Sequence, residues 1–268
     1  MSELELKARE IRIMILDQVY AFKNGHIASA FSIVEILLFL YWRVLRVNAA
    51  KPNWDMRDRL ILSKGHGVSA LYAILADLGF FPKEHLTASQ DGNLLGGHVD
   101  RKVPGIDWST GSLGHGLSVA AGMALAAKVN KANYMVFCIL GDGELQEGAV
   151  WEAAMFAAHH KLNLVAIIDY NQSQSCGTTK DILNIVPIIN KWNAFGWSAV
   201  SANGHSFSSL NESLGYAYRN KNYNVPTAII ACTKKGYGVS FIETGDGWHT
   251  GIPTKDELLA AKKELCVL

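Results

Sequence analysis

The chain has 268 residues, 49% hydrophobic and 18% charged, with a formal net charge of +1. That length and apolar share support a large core and a partly hidden surface. The near-zero charge offers no field to draw nucleic acid or an anionic membrane. The cysteines at 138, 176, 232 and 266 lack the spacing of a zinc site or a disulfide framework, which fits a reduced, cytoplasmic setting. The N-terminus does not read as a signal peptide, and the longest apolar run, residues 36–42, is too short to cross a bilayer.

Residues 4–20 carry apolar positions at Leu6, Ile11, Ile13, Met14, Ile15 and Val19 and predict an amphipathic helix. Residues 32–46 are apolar nearly all round, broken by Glu35, Arg43 and Arg46. Such a helix is buried on most sides, by its own chain or by another, and it is the stretch expected to face a partner. Residues 67–79 and 115–129 are small and apolar and predict two further helices. Strands are expected at 134–140, 164–169, 198–201 and 228–232, most of them continuous apolar runs of the kind covered on both faces of a parallel sheet. Helices at 146–160, 182–195 and 206–219 fall between them, and a last helix ends the chain. The alternation predicts an α/β fold, a doubly wound, mostly parallel sheet flanked by helices, forming a single domain over residues 1–268. Residues 87–114 and 233–253 lack periodicity and are rich in Gly, Ser, Asp and His, which marks them as functional loops.

The strand at 134–140 runs directly into Gly141-Asp142-Gly143-Glu144. Ligands of open α/β sheets bind at the carboxyl ends of the strands, and the flanking glycines let main chain approach a ligand. A helix start beyond the turn suits phosphate. The next strand ends in Tyr170-Asn171-Gln172-Ser173, so adjacent parallel strands would bring Asp142 and Asn171 to one edge. A carboxylate, an amide oxygen and a main-chain carbonyl form a hard-oxygen set that two diphosphate oxygens and a water complete to the octahedron Mg²⁺ prefers. Gly-Asp-Gly alone is more often an ordinary turn. A second copy, Gly245-Asp246-Gly247, has no apolar strand before it and no strand after it, and reads as a loop.

The order strand, Gly-Asp-Gly, helix, strand, with Asn171 29 positions after Asp142, resembles the thiamine-diphosphate fingerprint. The wider set of motifs resembles the transketolase family, and within it the separate N-terminal subunit of split transketolases. These motifs are Asn24-Gly25-His26, Ser63-Lys64-Gly65-His66-Gly67, Gly96-Gly97-His98, Thr110-Gly111-Ser112-Leu113-Gly114-His115-Gly116, Gly141 through Gly148, and Trp248-His249. The resemblance implies that Asp142, Asn171 and the main-chain carbonyl of Ser173 hold Mg²⁺, or Ca²⁺ or Mn²⁺ in its place. It implies that His66, Gly143 and His249 hold the diphosphate, with Glu144 beside them, and that Gly111 and Leu113 border the rings of thiamine diphosphate. His115 stands where many full-length relatives carry Gln. His26 and His98 match substrate-channel histidines, and His26 and His249 would donate hydrogen bonds to donor-sugar hydroxyls and a developing oxyanion. Glu147 would be a buried carboxylate at a partner contact. His85, His159, His160 and His205 match no motif, and adjacent helix positions such as His159 and His160 are expected to face different ways.

The implied activity is transfer of a two-carbon ketol unit from a ketose, or its phosphate, to an aldose. The resemblance also implies that the carboxylic acid facing the aminopyrimidine comes from a C-terminal subunit with a pyrimidine-binding domain, in an α₂β₂ assembly. The alternatives are the α-subunit of a 2-oxo-acid dehydrogenase, a deoxyxylulose-phosphate-synthase-like fragment, and a non-catalytic cofactor-binding half that regulates a partner.

Overall fold

A computed structural model describes residues 2–88, 92–221, 224–244 and 247–267. The second Gly-Asp-Gly copy, through Gly245 and Asp246, lies outside the described residues. Packing divides the chain into two compact units. One, all helical, takes the chain up to Asn53, His66–Ser109 and the chain from Lys234; the other holds Trp54–Gly65 and Thr110–Thr233.

The helical unit opens with α1 (Glu3–Phe22), started by a capping box in which Ser2 and Glu5 satisfy each other's main-chain N–H. Ile11, Ile15 and Val19 lie on its buried face. α2 (Ile27–Phe31) and α3 (Val34–Phe39) follow, and the chain then widens into a π-helical turn, Leu40–Val44. The apolar stretch predicted as one helix over 32–46 is therefore two short pieces with different winding. All of α3 is buried, and it packs on α1 and α4 (Val68–Asp77). The expectation that it offers its surface to a partner is corrected: this chain already covers it.

The second unit carries the sheet: β1 (Arg59–Leu62), α5 (Gly116–Val129), β2 (Val136–Gly141), α6 (Gly148–His159), β3 (Leu164–Tyr170), α7 (Thr179–Ile182), α8 (Ile188–Ala194), β4 (Ser198–Asn203), α9 (Phe207–Lys221) and β5 (Thr227–Cys232). The chain then returns to the helical unit as α10 (Ser240–Thr244) and α11 (Lys255–Val267). The five strands are all parallel, in the order β1-β2-β3-β5-β4. Leu117, Ala121 and Ala124 of α5, Val150 and Ala154 of α6, and Trp192 of α8 share one core with Val136, Cys138, Leu140, Ala166 and Ile168. The alternate positions Phe137, Ile139, Val165 and Ile167 are equally buried, so the continuous apolar runs mark strands covered on both sides. The connection from β4 through α9 to β5 runs back toward the sheet centre. A right-handed crossover then puts α9 on the face opposite α6 and α8, which is the doubly wound arrangement the sequence predicts.

Sequence reasoning missed β1, which is only four residues long. It also joined α7 and α8 into a helix over 182–195, although Pro187 precedes Ile188 and cannot donate within a helix. No helix among the described residues is long and apolar enough to cross a membrane.

Candidate functional site

In the sheet unit, β2 and β3 pair with Gly141 opposite Asp169, so Asp142 and Asn171 emerge at the same carboxyl edge. The Asp142 main chain donates to the Asp169 carbonyl at 3.2 Å. Its carboxylate accepts the N–H of Gly143 at 2.8 Å and of Gln172 at 2.5 Å. Gln172 reaches that position in a left-handed conformation, φ 61°. Asp142 is 2% exposed, and burial pushes its carboxyl up to about 6. The neighbouring Asp169 adds to the rise, while the two N–H donors and Lys64 oppose it. Asn171 Nδ2 donates to Asp169 at 3.0 Å, and Asn171 Oδ1 accepts from Ser173 N at 3.0 Å.

The buried carboxylate of Asp142, with the amide oxygen of Asn171 at the same strand edge, is an oxygen donor pair that suits a hard divalent cation. No cluster of three His, Cys, Asp or Glu ligands occurs among the described residues. The donors present thus fit an ion held by few protein oxygens and completed by a bound anion, as Mg²⁺ prefers.

Glu144 is a staple. Its carboxylate accepts from Ser63 Oγ, from Gly114 N at 2.8 Å and from Gly141 N at 3.1 Å, tying the end of β1, the 110–116 loop and the end of β2 together. Burial raises its pKa. Gly114 lies at φ 85°, and a Cβ there would stand 2.7 Å from Cβ of Glu147. Gly65 is equally constrained, because its Cβ would meet the Thr110 main chain at 2.9 Å. The loop held this way leaves Gly111, Leu113 and His115 exposed. Glu147 is also exposed in this chain. α6 begins only at Gly148, after a 3₁₀ turn over Gly143–Gln146. The N–H groups nearest Gly143 are therefore those of the turn, not of the helix as the sequence suggested.

In the helical unit, four histidines from four separate segments converge. The His26 ring centroid is 5.4 Å from His66, 5.9 Å from His98 and 5.3 Å from His249, and His66 and His249 are 5.5 Å apart. The motif glycines explain the approach. A Cβ on Gly97 would meet the Asn24 amide at 2.9 Å, so the Asn-Gly-His and Gly-Gly-His segments touch. Buried Tyr72 donates to the His98 carbonyl at 2.8 Å and fixes that loop, its own hydroxyl pushed up to about 12 by burial. The segment leading to His249 is anchored through Arg12. This arginine forms a buried two-point ion pair with Glu35 and donates to the carbonyls of Tyr237 at 2.7 Å and Phe31 at 3.1 Å. Phe241 and Trp248 pack with ring centroids 5.4 Å apart just before His249.

His115 belongs to the sheet unit. His159 and His160 do meet, with ring centroids 4.9 Å apart. Sequence reasoning missed Asp169, Thr233 and the role of Lys64. Lys64 and Asp169 form a buried ion pair, and Thr233 Oγ1 donates to the same carboxylate. The available signal was a charge at the end of an apolar strand run, which requires a partner.

The family described as "Transketolase, thiamine diphosphate binding domain" matches residues 4–267. An apulose-4-phosphate transketolase subunit from Phocaeicola vulgatus is 42% identical over 265 residues, covering 98% of this chain and 93% of that protein. A 6-deoxy-6-sulfo-D-fructose transketolase subunit of a Clostridium species is 41% identical over 266 residues, covering 98% and 96%. The solved transketolase from Leishmania mexicana superposes with a TM-score of 0.91 at 28% identity over 99% of this chain and 42% of that one. The chain thus spans about two fifths of that full-length structure.

Proposed function

This chain belongs to the transketolase family through its thiamine-diphosphate-binding domain, and we propose that it is the cofactor-holding subunit of a two-chain transketolase. The enzyme moves a two-carbon ketol unit from a ketose, or its phosphate, to an aldose. The observation that carries this reading is the identity of 42% with a protein named as one subunit of a transketolase, over nearly the whole of both chains. The partner is a C-terminal subunit with the pyrimidine-binding domain, the assembly is α₂β₂, and its setting is the cytoplasm. The family match from residue 4 to 267 supports treating the two compact units as parts of one domain.

Bound thiamine diphosphate supplies the carbanion chemistry that no side chain provides. In the sheet unit, Asp142, Asn171 and the Ser173 carbonyl hold the Mg²⁺, Gly143 leaves room for the diphosphate, and Gly111 and Leu113 border the rings, with His115 next to them. Glu144 acts on this site by holding the 110–116 loop. Glu147 sits where a partner would cover it. In the helical unit, His66 and His249 donate to the diphosphate, while His26 and His98 face the sugar. His26 and His249 donate to substrate oxygens and carry protons.

Coexpression with the neighbouring reading frame, followed by a screen of ketose donors and aldose acceptors, tests the reading. Ketol transfer and exchange of the cofactor's C2 proton should need both chains. Transfer by this chain alone, or by the pair only to a lipoyl acceptor, would overturn it.

A further inference from the structure

The sheet unit contains a polar chain that the proposed roles do not use. Lys64, Asp169 and Thr233 come from the ends of β1, β3 and β5, and all three meet at the carboxylate of Asp169. Lys64 is 1% exposed and Asp169 is fully buried. The same carboxylate accepts from Nδ2 of Asn171 at 3.0 Å. A buried carboxylate paired with lysine only accepts, so it binds the nitrogen end of an amide and repels the oxygen end. Asn171 is therefore held in one orientation. Its nitrogen is committed to Asp169, and its oxygen, which takes the Ser173 N–H with one lone pair, keeps the other for a further partner.

We propose that Asp169, neutralised by Lys64 and braced by Thr233, is a positioning residue that sets the amide of Asn171 for the cation. This rests on the reading of Asn171 as a ligand. Turning the amide over would place oxygen against carboxylate and an NH₂ group at the cation, so the two errors reinforce each other. Residues that orient metal ligands typically change metal affinity about 10–100-fold when replaced.

The test is Mn²⁺ binding in the presence of thiamine diphosphate, followed by the loss of the free-ion paramagnetic signal, on the full chain purified with its coexpressed partner. Asn171→Ala checks the underlying reading: unchanged affinity would overturn the ligand assignment itself. Asp169→Asn should weaken Mn²⁺ binding at least about 10-fold. Asn171→Asp, which leaves the Lys64–Asp169–Thr233 network intact, should also weaken it, although it adds a charge to the ligand set, because the new carboxylate faces Asp169. A purely structural role for Asp169 predicts no loss in Asn171→Asp, because the network is intact there. Loss in Asn171→Ala with wild-type affinity in Asp169→Asn would overturn this inference alone. If the Asp169 variant does not fold, Asn171→Asp decides: affinity equal to or tighter than wild type would overturn the proposal.

Discussion

Replacing Glu144 tests whether the 110–116 loop is held by the staple described above. Alanine at 144 strands the N–H groups of buried Gly114 and part-buried Gly141, whereas the Ser63 hydroxyl can rotate toward another acceptor. A stranded buried donor costs about 1–3 kcal/mol, so the two together cost about 2–6 kcal/mol. Release from desolvating a carboxylate, whose raised pKa records that penalty, offsets part of this. Glutamine separates the terms. Its oxygen can serve Gly114 and Ser63, but its NH₂ would then face the Gly141 N–H, one donor against another, at about 1–3 kcal/mol. Urea denaturation should therefore rank wild type above Glu144→Gln and Glu144→Gln above Glu144→Ala. Hydrogen exchange at the Gly114 amide should accelerate in the same order. A glutamine variant as stable as wild type, with Gly114 equally protected, would show that the carboxylate is not what holds the loop.

Arg12→Met should destabilise the helical unit by about 3–5 kcal/mol, since it leaves the buried Glu35 carboxylate without its cation; adding Glu35→Gln should return part of the loss in urea titrations. Asp142→Ala should abolish Mg²⁺-dependent binding of thiamine diphosphate, measured by calorimetry on the assembled enzyme, while the far-ultraviolet circular dichroism stays that of wild type. His26→Ala should lower kcat at least about 100-fold with the cofactor still bound, the size expected for losing a general acid–base group, and an unchanged kcat would remove His26 from the proposed chemistry.

The central strands were legible because β2 and β3 are continuous apolar runs that end in polar motifs. Sequential strands of a parallel sheet lie side by side often enough to predict that Asp142 and Asn171 share an edge, and the register of Gly141 against Asp169 is that arrangement. β1 escaped because four residues, Arg-Leu-Ile-Leu, carry no period that separates a strand from a helix fragment. The stretch 32–46 shows a different limit. Its composition correctly gave burial, but hydropathy cannot tell an α-turn from the π-turn at Leu40–Val44, nor say which chain provides the cover. The predicted helix at 182–195 failed for a reason that was visible, since the apolar pattern ran straight through Pro187.

The two groups of candidate residues differ in how far spacing alone could reveal them. Asp142 and Asn171, the proposed oxygen ligands, follow neighbouring strands joined by one helix, so a fixed interval in the sequence encodes their proximity. The histidines come from four segments far apart along the chain, and no interval links His26 to His249. Only recognised motifs could group them. The structure separates two of the motif glycines by what surrounds them. At Gly25, a Cβ would lie 2.6 Å from a branched methyl of Val19, at φ 151°. A β-branched side chain packed in a helix has little room to move, so alanine there would displace the main chain that carries His26. At Gly97 the clash is with the end of the Asn24 side chain, which can swing aside. The two glycines look equivalent in the sequence, yet only Gly25 is rigidly required to bring its histidine to the others. Gly25→Ala should thus disturb the His26 ring position far more than Gly97→Ala disturbs His98, a difference that the ring NMR shifts of the two histidines would register.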